Sequence, residues 1–426
     1  MLKPIRYALT AVAALTCLAF LQDDFGPEQK QLLTASFEKV WTTVKDVHYD
    51  PDLGGLDWQG VYEKYKPRIE NASSNEEGRN IMNEMLGLLG QTHIKVIPAS
   101  AYDDLHGENK GDHAPGIDIR ILDGRAIVTR VEANSPASLL GVKPGWEIVR
   151  VDGKPVAPII ERNEKNYSKS TLKDLNGARA VEGLIAGQPS QAVEIEFNDG
   201  KGVKTLKLDK AEPKGEKTTF GDMPSSNFWV ETSCTKDDVR IISFNIWLNP
   251  EAVARAFSEI MKDAEKAKGF IIDLRGNPGG IGNMAMGAAG WFTSQKGLKL
   301  GTMTMRNGKT NFVVFPRGNA TNAPLAILVD GCSGSTTEVF AGGMQDLKRA
   351  RIFGTRTAGA ALPSAFTRLP NGDGFQFILA NYVSEGGKPL EGLGVTPDET
   401  IALTQADLLA GRDTVLDRAV AWIKSH

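Results

Sequence analysis

Apolar residues recur along this chain in two rhythms, and the switch between them marks its organisation. Leu32, Leu33, Phe37, Val40, Trp41 and Val44 fall at three- to five-residue steps, which predicts an amphipathic helix. A second helix is predicted after Ser73-Ser74, where Glu76 and Glu77 are placed to complete a capping box. Its apolar residues are Ile81, Met82, Met85, Leu86, Leu88 and Leu89, and Gly90 stops it. From residue 116 the pattern becomes strand-like: Gly116–Arg120, Ala126–Val131 and Glu147–Val151 are separated by turn signals. A short helix ending in a Gly/Pro turn is predicted over Ser135–Gly145, and Val193–Phe197 pairs with Val203–Leu208 around Asn198-Asp-Gly-Lys-Gly. From about 225, strands alternate with helices. Val239–Phe244, Phe270–Leu274, Leu325–Val329 and Ala350–Phe353 read as strands, and Pro250–Lys268 and Thr337–Asp346 as helices. That alternation predicts a layered α/β domain.

These shifts divide the chain into residues 1–21, a helical region over 22–105, a β-rich domain over 110–212 and an α/β domain over 225–426. A chain of 426 residues exceeds one compact core, in keeping with that division. Lys3 and Arg6, then an apolar run from Tyr7 to Leu21 ended by Asp23-Asp24, fit a secretory leader cut after Ala19. Ala14-Leu15-Thr16 before Cys17 is a poor lipid-attachment signal. The expected location is therefore periplasmic or secreted, with no membrane span in the mature chain. A composition 41% hydrophobic and 24% charged is that of a soluble globular protein. The net charge of −3 gives no reason to expect nucleic acid or an acidic membrane as partner. Beyond the leader only Cys234 and Cys332 remain, too few for a disulfide framework or a zinc site.

Four places could carry chemistry. Ser335, in Asp330-Gly-Cys-Ser-Gly-Ser-Thr-Thr-Glu338, stands between a predicted buried strand and a helix start. A serine at such an elbow exposes its hydroxyl at the strand's end, beside helix N-terminal amides able to hold an anion. Serine is also an ordinary helix cap. Cys332 is a weaker nucleophile candidate, lying further back in the loop. Asp273-Leu-Arg-Gly-Asn-Pro-Gly-Gly280 is a glycine-rich turn at a strand end, suited to bringing amides close to a ligand. A phosphate loop would need Gly-Lys-Ser/Thr, which does not follow, and a purely structural turn is the plainer alternative. His93 follows a helix and precedes the apolar Ile94–Ile97, whereas His48, His106, His113 and His426 sit in polar or terminal contexts. It reads either as a general base or as a satisfied structural histidine. No second ligand stands at metal-binding spacing to it. Glu391, in Pro389-Leu-Glu-Gly-Leu-Gly-Val-Thr-Pro-Asp398, would by itself be a surface acid.

Taken in order, these motifs resemble the C-terminal processing (tail-specific) serine peptidases and the related tricorn core protease. The likeness covers most of the mature chain. It rests on Asp273–Gly280, Ser333-Gly-Ser-Thr-Thr-Glu338 and Glu391–Asp398. It implies an α/β multidomain protein: an N-terminal helical region, a PDZ-like β-rich domain and a crotonase-like catalytic domain. Gly141-Val-Lys-Pro-Gly-Trp-Glu-Ile-Val-Arg-Val-Asp-Gly153 is the specific part of the PDZ likeness. It places Pro115, Gly116 and Ile117 where a peptide's C-terminus is held by backbone amides. A β-rich spacer without a ligand is the alternative.

The tail-specific motif carries its nucleophile at the second serine, here Ser335. Its partner in that branch is a lysine, and the corresponding residue here is Ala360. A methyl group accepts no proton, which excludes a Ser–Lys dyad at that position. The tricorn-like branch takes its base from a histidine in a Ser-His pair, assisted by a late glutamate. Thr92-His93 falls at that pair, with threonine for serine, and Glu391 near the glutamate. The resemblance then implies that His93 accepts the Ser335 proton while Thr92 and Glu391 orient it. The amides of Thr336 and of Gly279 or Gly280 would form an oxyanion hole. The expected substrates are polypeptides, with no metal or organic cofactor. The competing expectation is an inactive relative, a peptide-binding scaffold or apolar-ligand carrier, as the retinoid-binding proteins of photoreceptor matrix show for this architecture.

Overall fold

In the second half of the chain, strands Val230–Cys234, Val239–Phe244, Gly269–Asp273, Leu325–Val329, Arg351–Gly354 and Glu399–Thr400 form one sheet in that order. The first pair is antiparallel and the rest are parallel. This comes from a computed structural model that describes residues 25–101, 111–168, 170–189 and 191–426. The expected leader and Cys17 lie outside the described residues, as does His106.

Alternate side chains of the central strands feed two cores, because successive residues of a strand face opposite ways. Phe270, Ile272, Leu325, Ile327 and Val329 meet Phe257 of the Pro250–Ile260 helix and Phe340 of the Thr336–Asp346 helix. Ile271, Ala326 and Leu328 meet Val415, Ala419 and Ile423 of the Thr414–Lys424 helix. With helices on both faces, the strands read as continuous apolar runs rather than alternations.

The β-rich region forms a second sheet in the order Ile117–Leu122, Arg125–Val131, Glu147–Val151, Ala192–Asn198 and Val203–Asp209. Ile117–Leu122 is one of its two edge strands. The Lys173–Ile185 helix lies against it so closely that a Cβ on Gly177 would come within 2.8 Å of Ile121. That helix and Ala157–Asn166 before it lie outside the elements that the sequence predicts.

The N-terminal helices are Pro27–Val47, Trp58–Glu70 and Asn75–Gly87. Ser74 caps the third through the Glu77 amide, and the Glu77 carboxylate reaches back to Ser73. Their core is shared with the far end of the chain: Leu369 and Phe375 pack among Phe37, Tyr65 and Met82. Strand Lys95–Ile97 completes the join by pairing with Gly374–Ile378. The turn that carries His93 is therefore fixed between two distant parts of the sequence.

Candidate active site

The strand Leu325–Val329 is wholly buried and ends in the Asp330–Ser335 turn. Ser335 then starts the Thr336–Asp346 helix at φ +53°, ψ −118°, a left-handed backbone rare for a residue with a side chain. Three partners hold this strained elbow. The Ser335 amide donates to the Ala360 carbonyl at 2.8 Å and to Glu338 Oε2 at 2.9 Å. The Gly334 amide donates to the Asn277 carbonyl at 3.0 Å.

Glu338 is fully buried, and its two oxygens also accept from Thr357 Oγ1 and from the Gly359 and Ala360 amides. Burial pushes its pKa up to about 7 against the pull of these donors. It therefore clamps the Thr357–Ala360 loop to the serine elbow.

The glycine-rich turn is sewn to the same elbow. Asp330 Oδ1 accepts the Gly276 and Cys332 amides at 2.9 Å each, and Arg120 Nε of the β-rich sheet donates to Oδ2 at 2.6 Å. Buried Asn277 donates to the Phe244 carbonyl and accepts from Thr337 Oγ1. A Cβ on Gly279 would stand 2.5 Å from Ser335 Cβ, so only glycine allows this approach. The Gly279 amide is committed to Asn277 Oδ1 at 3.0 Å. Among the described residues, the amides of Gly280 and Thr336 have no acceptor, and Thr336 Oγ1 ties the two segments by donating to the Gly280 carbonyl. Of the three expected oxyanion donors, these two are free.

His93, at φ +56°, sits half-buried on the turn before Lys95–Ile97. Its Nδ1 lies 2.7 Å from Thr92 Oγ1, which donates to Glu391 Oε2 at 2.9 Å. The Thr92 amide donates to Glu391 Oε1 at 2.8 Å. An ionised carboxylate can only accept, so the threonine proton goes to Glu391 and its oxygen takes the proton on Nδ1. That fixes the tautomer with Nε2 unprotonated. Burial, with the charges of Lys95 and Arg179, holds the imidazole pKa down at about 4, so the ring is neutral near pH 7. Burial raises the Glu391 pKa, and its bonds from Thr92, Ala361 and Leu362 oppose the rise.

The loop at Ala360–Ala361 joins the two halves. The Ala360 carbonyl accepts from Ser335, and the next amide, Ala361, donates to Glu391 Oε2 at 3.0 Å. Among the described residues His93 Nε2 has no hydrogen-bond partner, and no lysine bonds to Ser335, His93, Glu338 or Glu391. Cys332 is buried and its thiol pKa is pushed up to about 12 by burial, which leaves it inert as a nucleophile. Cys234 is exposed and also free, so the two cysteines do not pair.

The Pro115–Ile117 segment opens the edge strand of the β-rich sheet. Gly116, at φ +81°, presses on Ser135, and the Pro115 and Gly116 carbonyls accept from Ala137 and Glu132. Beside it lies a cleft of about 270 Å³ bordered by Arg130, Lys214 and Trp229. Asn277, Asp330 and Arg120 carry no sequence signal as organisers of the elbow. Each also acts through partners tens or hundreds of residues away.

A half-buried serine on a strained elbow thus lies beside two uncommitted amides, and the relay from His93 through Thr92 to Glu391 is tied to the same loop. Residues 238–401 match the model described as peptidase family S41, and residues 33–87 match the tricorn protease C1 domain. The chain carries a peptidase family S41 domain and, in its N-terminal helices, a match to a tricorn protease domain. It is similar to a tricorn protease homologue of Streptomyces coelicolor, 23% identical over 90% of this chain and 32% of that protein. It is also similar to the carboxyl-terminal-processing protease of Synechocystis, 25% identical over 88% of this chain and 82% of that one. The chain thus spans about a third of the first relative and most of the second. The photosystem II D1 C-terminal processing protease shares the fold at TM-score 0.58 and 20% identity, covering 92% of this chain and 97% of that one.

Proposed function

We propose that this chain is an exported endopeptidase in which Ser335 is the nucleophile and His93, rather than a lysine, is the general base. The observation that carries this reading is the relay from His93 Nδ1 through Thr92 to Glu391, which leaves Nε2 with a free lone pair. In this mechanism Ser335 Oγ attacks the peptide carbonyl and passes its proton to His93 Nε2. Glu391, through Thr92, stabilises the imidazolium without taking its proton. The Thr336 and Gly280 amides hold the oxyanion, each contributing roughly 3–4 kcal/mol as such donors do. His93 then protonates the leaving amine, and water attacks the acyl-enzyme with the same base.

The α/β half is a crotonase-like catalytic domain in this reading. The β-rich sheet is a PDZ-like domain, supported by its open edge strand Ile117–Leu122 and the Lys173–Ile185 helix beside it. A polypeptide's C-terminus binds as an added strand at Pro115, Gly116 and Ile117. Export is supported by the charge and apolar pattern of residues 1–21; no described helix is long and apolar enough to cross a membrane.

Hydrolysis of unfolded casein by the mature chain, beside Ser335→Ala and His93→Ala, tests the mechanism. Both substitutions are expected to abolish turnover. A His93→Ala enzyme with full rate would show that the base lies elsewhere.

A further inference from the structure

A strand edge lies open beside the active site. The strand Ser364–Arg368 begins just past the Ala360–Ala361 loop, and among the described residues only the Gly374–Ile378 strand pairs with it. The pairing is antiparallel, with Ser364 opposite Ile378 and Phe366 opposite Gln376. Two bonds at its ends fix which way each residue faces. The Leu379 amide donates to the Pro363 carbonyl at 2.9 Å, and the Leu369 amide to the Asp373 carbonyl at 2.8 Å. Bonding alternates along an antiparallel ladder, so Pro363, Ala365, Thr367 and Leu369 turn their backbone groups toward the partner strand. Ser364, Phe366 and Arg368 turn theirs the other way. On that side the Arg368 carbonyl accepts from Lys39 Nζ. The backbone N–H and C=O groups of Ser364 and Phe366 have no partner among the described residues, and both residues are half-buried.

This edge starts at the chemistry. The strand Lys95–Ile97 pairs with the opposite side of Gly374–Ile378, with Lys95 facing Gln376. It therefore runs parallel to Ser364–Arg368, and both begin at the same end of the three-stranded sheet. His93 lies two residues before one start. Ala361 lies three residues before the other, with its amide on Glu391 and the neighbouring Ala360 carbonyl on the Ser335 amide. Two strand spacings, roughly 10 Å, separate the outer strands of the sheet.

We infer that the outer edge of Ser364–Arg368 is the docking strand for the substrate backbone, holding the residues on the N-terminal side of the scissile bond as an added antiparallel strand; this rests on the peptidase mechanism proposed above. In an antiparallel pair, one outward residue gives its N–H and its C=O to the same opposite residue. Phe366 and Ser364 thus hold two alternate residues of the peptide. The strand runs away from the active site, so an antiparallel peptide enters from the Lys39 end and carries its C-terminal part to Ser335. These bonds use backbone alone, so they select extended polypeptide and exclude small esters and folded segments. Because they exist before and during the reaction, their loss appears in KM more than in kcat.

The test is Phe366→Pro beside Phe366→Ala. Both lose the ring, and only proline also removes the outward N–H, at an edge position where no ladder bond is lost. Two readouts are taken: steady-state hydrolysis of a fluorogenic peptide of eight or more residues, and the rate of Ser335 labelling by a small fluorophosphonate, which has no backbone to dock. The proline variant is expected to fall about tenfold below the alanine variant in peptide kcat/KM, carried by KM and equivalent to about 1.4 kcal/mol. The labelling rates of the two variants are expected to agree within about twofold. Equal peptide kcat/KM in the two variants overturns the inference. So does a parallel fall in labelling, which would trace the effect to the Ala361 loop. The wild-type enzyme gives an independent reading with peptides N-methylated at successive amides before the cut. Methylation should cost about tenfold at alternate positions and less than about twofold between them, and a loss without that alternation overturns the inference. A wild-type enzyme that neither labels nor hydrolyses refutes the Ser–His mechanism instead, and the inference falls with it.

Discussion

In the proposed mechanism the methyl group at Ala360 leaves Ser335 without an amine to take its proton, so the whole demand falls on the His93 imidazole. His93→Ala is expected to lower kcat by about a thousandfold or more, read as turnover of a fluorogenic peptide. Thr92→Val cuts the link between imidazole and Glu391 and should cost about 10- to 100-fold, the worth of a hydrogen bond to a charged group. Thr92→Ser, which keeps the hydroxyl, should restore most of that loss. Glu338 makes a separate prediction. Its folded pKa of about 7 lies above the ordinary 4.5, so ionising it opposes folding. Its contribution to stability is full below about pH 4.5 and falls as pH rises toward 7. Activity runs the other way, because only the carboxylate accepts from all of its donors at once. With His93 at about 4, an acid limb near pH 7 in kcat/KM belongs to Glu338, and Glu338→Gln should erase it. The serine, the glycine turn and the histidine were legible because each sits in a local pattern. Glu391 and Ala360 gained meaning only through resemblance. Asn277 and Asp330 gave no signal, since a buried polar side chain is recognised by its partners and not by its neighbours in sequence.

At the scale of elements, apolar rhythm located four strands of the α/β half within a residue or so, missed others such as Val230–Cys234, Lys299–Met305 and Gly374–Ile378, and misjudged several helices. The helix expected to run to Lys268 stops at Ile260. Arg240, on the neighbouring strand, donates to the carbonyls of Ile260, Lys262 and Asp263 and so ends the helix from a distance. The chain can then turn at Asp263, φ +51°, into the strand Gly269–Asp273. Trp58–Glu70 was hidden by Pro67 in its interior, and Lys173–Ile185 by a buried face of Gly177, Ala178, Val181 and Ile185, two of them too small to register. The C-terminal helix offers a test at this scale. Asp413 caps it through the Leu416 amide and also receives two bonds from Arg275, at 2.9 and 2.8 Å. Asp413→Ala should lower unfolding free energy by about 2–3 kcal/mol, measured in urea, with the Asp273–Arg275 pair left in place.

Across the whole molecule, the β-rich sheet reaches the elbow through Arg120. It is largely buried against Asp330, the acid that joins the glycine turn to the serine loop. Arg120→Ala leaves that largely buried carboxylate without its cation. A loss of about 3–5 kcal/mol in stability is expected, with a fall in kcat that Ser335 chemistry alone would not predict. Nothing in the spacing of the chain marked this strut, for the pair lies 210 residues apart.

The bond between Thr92 and Glu391 spans 299 residues, and the strand after His93 is paired by residues 374–376. A ribosome making this chain therefore finishes the histidine early and its relay almost last. Until Glu391 has emerged and the hairpin has closed, the growing polypeptide owns a serine and an imidazole with nothing to hold them in register. The order of synthesis thus postpones assembly of the proposed relay until nearly the whole chain has been made.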